Sequence, residues 1–355
     1  MVISRTPYRI SFFGGGTDFP GWFMNHPGSV LSTSIDKYCY ISLRDLPPFF
    51  EHKIRVVYSR IETCRHVNEI QHPVVRNALE FLKLDRGLEI HHDGDLPARS
   101  GMGSSSSFTV GLLNALYAIC GNEISRKQLA SESIYIEQDL VKDVVGCQDQ
   151  IAAAYGGLNH IEFKKNGDFN VNPVHLSERR VEELRSHLML FYTGIQRNSS
   201  EVAKTYVEHI EQKQIVLKKM HQMVHDGLDI LKGNSDIKEF GKLMHDAWMA
   251  KRSLSAEVSN ITLDDYYRRA ISTGAIGGKI TGAGGGGFLL LFVLPKHQAK
   301  VINELSDLVH IPFQFDTSGS TILYSEIPCK KINDGISQGM PMLNVINGSR
   351  VINAR

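Results

Sequence analysis

Leu96-Pro-Ala-Arg-Ser-Gly-Met-Gly-Ser-Ser-Ser-Ser107 is the stretch whose reading decides the fold. Gly101 and Gly103 permit close backbone approach, four serines follow, and Phe108, Leu112, Leu116 and Ile119 then recur at helical spacing up to Gly121. The pattern predicts a glycine-rich turn running into a helix N-terminus. Unpaired N–H groups and the positive end of the helix dipole suit a polyphosphate there, and a serine hydroxyl suits a divalent cation that accompanies it. No Gly-Lys-Ser/Thr follows, so this is not the Walker pattern. A plain serine-rich cap on a surface loop fits the same letters about equally well.

Working outward, the chain before this loop is strand-rich. Residues 2–6, 9–13, 28–35, 38–43, 53–58 and 87–92 are β-branched or aromatic segments between turn signals. After it, Ser125 and Gln128 form a capping box that opens a helix to about Val141. A strand over 187–193 starts a new region. A long amphipathic helix then carries Val202, Tyr206, Ile210, Leu217, Met220, Val224 and Leu228 on one face and stops near Gly233. Helices over 237–254, 262–272 and 296–308, with strands over 288–294 and 320–327, complete the pattern. The expectation is an α+β protein of two domains, 1–185 and 186–328, with residues 329–355 as a C-terminal extension of weak periodicity.

The bulk numbers exclude several classes. Lys plus Arg total 39 against 38 for Asp plus Glu, which argues against a nucleic-acid binder with a broad basic face. Five cysteines, an odd number without metal-ligand spacing, read as reduced thiols. Residues 1–13 alternate polar and apolar positions and carry no signal-peptide core, and the strongest apolar run, 288–294, is too short to span a bilayer. The expectation is a cytoplasmic protein without nucleic-acid or membrane partners.

Three further segments carry chemistry. Glu137 and the stretch Gly146-Cys-Gln-Asp149-Gln150 place two carboxylates one helix beyond the serine loop. Phosphoryl transfer needs a metal ligand and a group that aligns the attacking hydroxyl, and this pair would serve; a solvated helix charge and a turn residue are the plainer alternatives. Gly277-Gly-Lys-Ile-Thr-Gly-Ala-Gly-Gly-Gly-Gly-Phe288 is costly to order and suits a place where backbone lies against backbone or ligand, or else a tight hairpin. Arg9 and Phe13-Gly-Gly-Gly-Thr-Asp18 give a strand, a turn and a Thr–Asp pair suited to sugar hydroxyls, or equally to an Asx turn.

The order and spacing of these four segments resemble the GHMP kinase family. Residues 96–107 resemble its Pro-x-x-x-Gly-Leu-Gly-Ser-Ser-Ala loop, residues 277–287 its third motif, and residues 6–18 the first motif as galactokinases have it. The resemblance implies a ribosomal-S5-like first domain and a ferredoxin-like second domain, with ATP and acceptor in the cleft between them. It implies that Arg99, Ser100, Gly101, Met102, Gly103, Ser104, Ser105 and Ser106 hold the nucleotide phosphates, and that Ser105 and Glu137 ligate Mg²⁺. Asp149 would then contact the reacting hydroxyl with Arg9 beside it, and Gly15, Gly16, Thr17, Asp18, Gly284 and Gly285 would hold the acceptor.

There are departures from the family pattern. Arg99 replaces a glycine, Met102 a leucine, and Gly15-Gly16 stands where galactokinases carry Glu-His. Together with Phe191-Tyr-Thr-Gly-Ile-Gln-Arg-Asn198, the glycine turn looks more like the branch that phosphorylates the anomeric hydroxyl of a heptose 7-phosphate. Arg197, Arg99 and Lys37 are candidates for a substrate phosphate. A kinase for galactose or fucose stays open, as does a non-catalytic sensor of ATP and sugar.

Overall fold

The computed structural model describes residues 1–197, 199–327 and the short strand Lys330–Lys331. Its first layer is built on one long ladder. Residues 2–13 form a single strand, Val2–Phe13, where the sequence predicts two, and Gly28–Asp45 is likewise continuous. Pro7 cannot donate to the ladder. The register steps from Pro7 opposite Tyr38 to Tyr8 opposite Ile35, so Asp36 and Lys37 bulge from the partner strand instead of ending it.

Around this ladder the strands run Thr321–Ser325, Val2–Phe13, Gly28–Asp45, Leu88–Gly94, Ile54–Val57 and Ile61–Cys64. Leu158–Phe163 and Phe315–Asp316 also pair with Gly28–Asp45, and Phe169–Pro173 lies outside Leu158–Phe163. Helix Ser104–Ile119 crosses the inner face of Val2–Phe13 and Gly28–Asp45 and is buried on nearly every side. Gly111 lets it approach: a Cβ there would meet Thr6 Oγ1 at 2.8 Å, and Ser4 Oγ donates to its carbonyl.

The second sheet runs Ala275–Ile280, Phe288–Val293, Leu188–Tyr192 and Val309–His310, all antiparallel. In chain order that is second, third, first, fourth, the arrangement of a βαββαβ ferredoxin-like unit, as expected. Phe288–Val293 is wholly buried, which explains a run with no polar alternation. The chain then returns to the first sheet through Phe315–Asp316 and Thr321–Ser325.

The long amphipathic segment is divided into Ser199–Val207, Ile210–Lys213 and Gln214–Lys232, ending at Gly233. No Pro or Gly stands between 199 and 213, and nothing in the structure explains the break. The helix expected from Ser125 runs over Arg126–Tyr135, with Ser125 Oγ accepting from the Gln128 N–H, and then widens into a π turn over Ile136–Leu140. Helices Pro73–Phe81, Gln148–Tyr155 and Glu178–Ser186 were not legible from periodicity. Cys39, Cys64, Cys120 and Cys147 are free thiols, and Cys329 lies outside the described residues.

The glycine-rich turn 281–287 is laid directly on the serine loop. A Cβ on Gly101 would meet Thr281 O at 2.8 Å, one on Gly282 would meet Gly101 Cα at 2.6 Å, and one on Gly287 would meet Ser100 O at 2.0 Å. Gly287 also has φ +90°, the left-handed region that other residues occupy only under strain. Gly287→Ala is therefore expected to cost about 2–5 kcal/mol in urea unfolding, strain plus displaced backbone. Gly194→Ala, at φ +73° with nothing within 4 Å, is expected to cost only about 1 kcal/mol.

Candidate active site

The two backbones so joined form one wall of a cleft of about 570 Å³. Into it the N-terminal strand brings Arg9, whose side chain is almost fully buried. The Arg9 N–H donates to Met102 O at 3.2 Å, which ties strand to loop. Its guanidinium makes a two-pronged pair with Asp149: Nε to Oδ1 at 2.7 Å and Nη2 to Oδ2 at 2.6 Å, while Nη1 donates to Gly101 O at 2.9 Å. Asp149 sits in the first turn of Gln148–Tyr155, where the helix dipole also favours a carboxylate.

Gly103 opens Ser104–Ile119 with φ +75°, and a Cβ on it would meet Asp149 Oδ2 at 3.3 Å. The start of that helix thus lies beside the Arg9–Asp149 pair. Gly101, Gly103, Ser104, Ser105 and Ser106 line the cleft with Arg99. Met102 and Ser100 do not: both are wholly buried, Met102 in the core and Ser100 beneath the glycine turn. Arg99 has φ +59°, so it holds the left-handed conformation that the family's glycine holds without strain.

Glu137 lies in the π turn, a geometry often found at functional sites. It is 1% exposed. Oε2 accepts from Ser106 Oγ at 2.9 Å and Gln150 Nε2 at 2.6 Å, while Oε1 has no partner among the described residues. The hydroxyl on Glu137 is therefore that of Ser106; Ser105 is exposed one residue earlier at the helix mouth. Burial pushes the Glu137 carboxyl up to about 7, against the pull of its hydrogen bonds.

Asp18 is buried under the loop that leads to Asp149. A Cβ on Gly146 would fall 1.9 Å from Asp18 Oδ2, Gly16 N–H donates to Oδ1 at 2.9 Å, and burial raises its pKa. Gly15 and Gly16 line the cleft beside it. Thr17 does not reach the cleft: its hydroxyl is spent on Gly14 O and Ser29 O inside the fold. Gly284 and Gly285 also lie off the wall, packed against Val258 O and Glu257 O, and Gly282 and Ala283 stand there instead. Arg197 pairs with Glu257 and Lys37 with Asp36, neither on the wall; Asn198 lies outside the described residues.

Sequence reading missed two lysines. Lys251 and Lys279 both line the cleft and are each 5% exposed. Lys279 Nζ donates to Ser11 O and Phe12 O at 2.9 and 3.0 Å, bridging the second sheet to the first strand. The signal for Lys251 was its spacing: Met244, Ala247, Trp248 and Lys251 share the buried face of Lys238–Arg252. At the other end of the cleft Tyr58, His72, His92 and Phe108 form an aromatic wall, with His72 and Phe108 4.8 Å apart and the His72 pKa pulled down to about 4 by burial.

Residues 70–157 match the model of the GHMP kinases' N-terminal domain and residues 229–310 that of their C-terminal domain. The chain belongs to the GHMP kinases. It is a phosphotransferase with an alcohol group as acceptor. It is 28% identical over 86% of its length to a D-glycero-alpha-D-manno-heptose 7-phosphate kinase of Campylobacter jejuni, covering 93% of that enzyme. It is 27% identical over 85% of its length to a galactokinase of Pyrococcus furiosus, covering 92% of it. Among solved structures, a D-glycero-D-manno-heptose 1-phosphate kinase from Bacteroides thetaiotaomicron superposes with TM-score 0.73 at 24% identity, over 92% of this chain and all of that one. No helix among the described residues is long and apolar enough to cross a membrane.

The raised Glu137 pKa has a sign that can be measured. A folded-state value near 7 against an ordinary 4.5 means that the protonated carboxyl favours folding, an advantage present below pH 4.5 and lost as pH rises through 7. In metal-free protein, Glu137→Gln is expected to gain on the order of 1–3 kcal/mol at pH 8 and little at pH 5, read from urea melts in EDTA.

Proposed function

We propose that this chain transfers the γ-phosphoryl group of ATP to the anomeric hydroxyl of D-glycero-D-manno-heptose 7-phosphate. Its class, a sugar kinase of the GHMP family, follows from its matches to the family and to sugar kinases. The heptose phosphate is the finer reading, supported by the near full-length likeness to the Campylobacter jejuni enzyme and by Gly15 and Gly16 in place of a bulkier, charged pair. The observation that carries the mechanism is the convergence of Arg9–Asp149 and the first turn of Ser104–Ile119 on one cleft, with Glu137 buried directly behind it on Ser106.

In this reading the N–H groups of residues 103–106 hold the nucleotide phosphates, with Arg99 at the rim, and the aromatic wall takes the base. Mg²⁺ fits the donor set. Glu137 Oε1 is buried and unpartnered, the Ser106 hydroxyl bonds the carboxylate's other oxygen, Ser105 stands one residue earlier at the helix mouth, and all are hard oxygen ligands. Among the described residues no three His, Cys, Asp or Glu side chains come together to hold a metal. The ion, when bound, would neutralise phosphate charge.

Arg9 aims Asp149 through its two-pronged contact, so that the carboxylate accepts the hydrogen bond of the acceptor hydroxyl. The acceptor oxygen bonds to Pγ as the Pγ–O bond to the β-phosphate breaks, and ADP leaves with that electron pair. A loose transition state lets the hydroxyl proton pass late to Asp149, and from there to water. Asp18 and the backbone of Gly15 and Gly16 hold the sugar. We read the chain as two domains divided near residue 185, with strands 315–325 returned to the first, and as cytoplasmic, where ATP and reduced thiols belong together.

Two measurements test this. A coupled ADP-release screen over sugars and sugar phosphates should give the highest kcat/KM with heptose 7-phosphate; preference for galactose or L-fucose would overturn the substrate. Asp149→Asn should lower kcat by about 10²–10⁴ while the Kd for ATP moves little, and near-normal turnover would remove Asp149 from the mechanism.

A further inference from the structure

Lys251 is unusual among the charged groups of the cleft. It is carried on the buried face of Lys238–Arg252, yet its side chain ends on the same wall as Arg9, Asp18, Asp149 and the serine loop. Its one hydrogen-bond partner among the described residues is Gly282 O, in the turn whose backbone lies on Gly101. No carboxylate of the described residues stands within 4.0 Å of it, whereas Arg9 has Asp149 at 2.6 Å. A carbonyl engages one of the three N–H bonds of an ammonium group, and the other two are left in a nearly water-free wall. An uncompensated buried charge is costly. Burial pulls the Lys251 pKa down to about 7, Arg9 acts in the same direction, and Asp18 and Asp149 offset only part of it. The charge of such a group is left incompletely compensated until an anion enters the cleft.

We propose that Lys251 is a catalytic residue that donates to the oxygens of the phosphoryl group in flight. The seam between glycine turn and serine loop is where its carbonyl anchor holds it, opposite the N–H groups of residues 103–106, and the negative charge there belongs to the phosphoryl group and not to a neutral sugar hydroxyl. Donors fixed in a dry site before the reaction stabilise charge that develops on it. Lys251 keeps its proton throughout, so the balance of bonds made and broken is unchanged. Lys279 has both neighbouring carbonyls for partners and is a strut between the layers.

The inference rests on the kinase reading but not on the sugar, and its test uses no sugar. Kd values for ADP alone and for ADP with aluminium fluoride, both with Mg²⁺, are compared in the full chain and in Lys251→Met and Lys251→Gln. Gln keeps a donor for Gly282 O without the charge, and both replacements remove a buried cation, so folded protein is expected. In both variants ADP should bind within about threefold of the parent, while the extra affinity conferred by aluminium fluoride should fall by about 10²-fold or more. kcat should fall alongside it, with whichever hydroxyl compound the parent turns over. Full tightening in Lys251→Gln, or equal loss for ADP and for ADP with aluminium fluoride, would make Lys251 a structural strut and overturn the proposal. A parent that tightens on aluminium fluoride yet ignores heptose phosphate would count against the substrate alone.

Discussion

Where the serine loop meets the glycine turn, no side chain stands between the two backbones. Gly101, Gly282 and Gly287 each leave less room than a methyl group needs, and the contact joins the layer of the serine loop to the layer that follows it. Cleft, loop curvature and the placing of Lys251 all depend on that closeness. The turn supplies the carbonyl of Gly282 that orients Lys251, and the loop supplies the carbonyls of Gly101 and Met102 that orient Arg9. Ordering so many glycines is entropically costly, and the gain is a close seam whose carbonyls hold Lys251 and Arg9 at the cleft.

Charge is arranged around that seam in two ways. Arg9 and Asp149 meet in short, paired contacts that fix the direction of the carboxylate at the cleft. Glu137 and Lys251 are buried with incomplete partners, so one carboxyl is pushed up and one ammonium pulled down toward 7. Both departures have the same cause, desolvation, and both are relieved by ligands of the opposite charge. In the reading proposed here, the stability left unrealised by these groups would become binding free energy for a metal ion and a phosphoryl group.

Much of the site was legible in the sequence because it is local. A glycine pair before four serines, a glycine run, and a carboxylate near a helix start are patterns of adjacent residues, and Arg9, Gly101, residues 103–106, Asp18 and Asp149 all line the cleft, with Glu137 buried behind Ser106. What the local pattern left open depends on where side chains point. Thr17 turns its hydroxyl inward, Met102 faces the core, Ser100 lies beneath the glycine turn, Gly284 and Gly285 pack on their neighbours, and Ser106 is the serine that bonds Glu137.

By itself the sequence determined the α+β alternation, the two-part organisation and the residue types of a phosphotransferase, since periodicity and glycine placement are constraints of the local backbone. Tertiary structure alone decided that Val2–Phe13 continues through Pro7, because a bulge in the partner strand absorbs the missing donor. It also decided that the last strands return to the first sheet, and that Lys251 and Lys279, two lysines on apolar surfaces, end in the cleft. Burial and charge compensation arise between residues hundreds of positions apart, and no local pattern carries them.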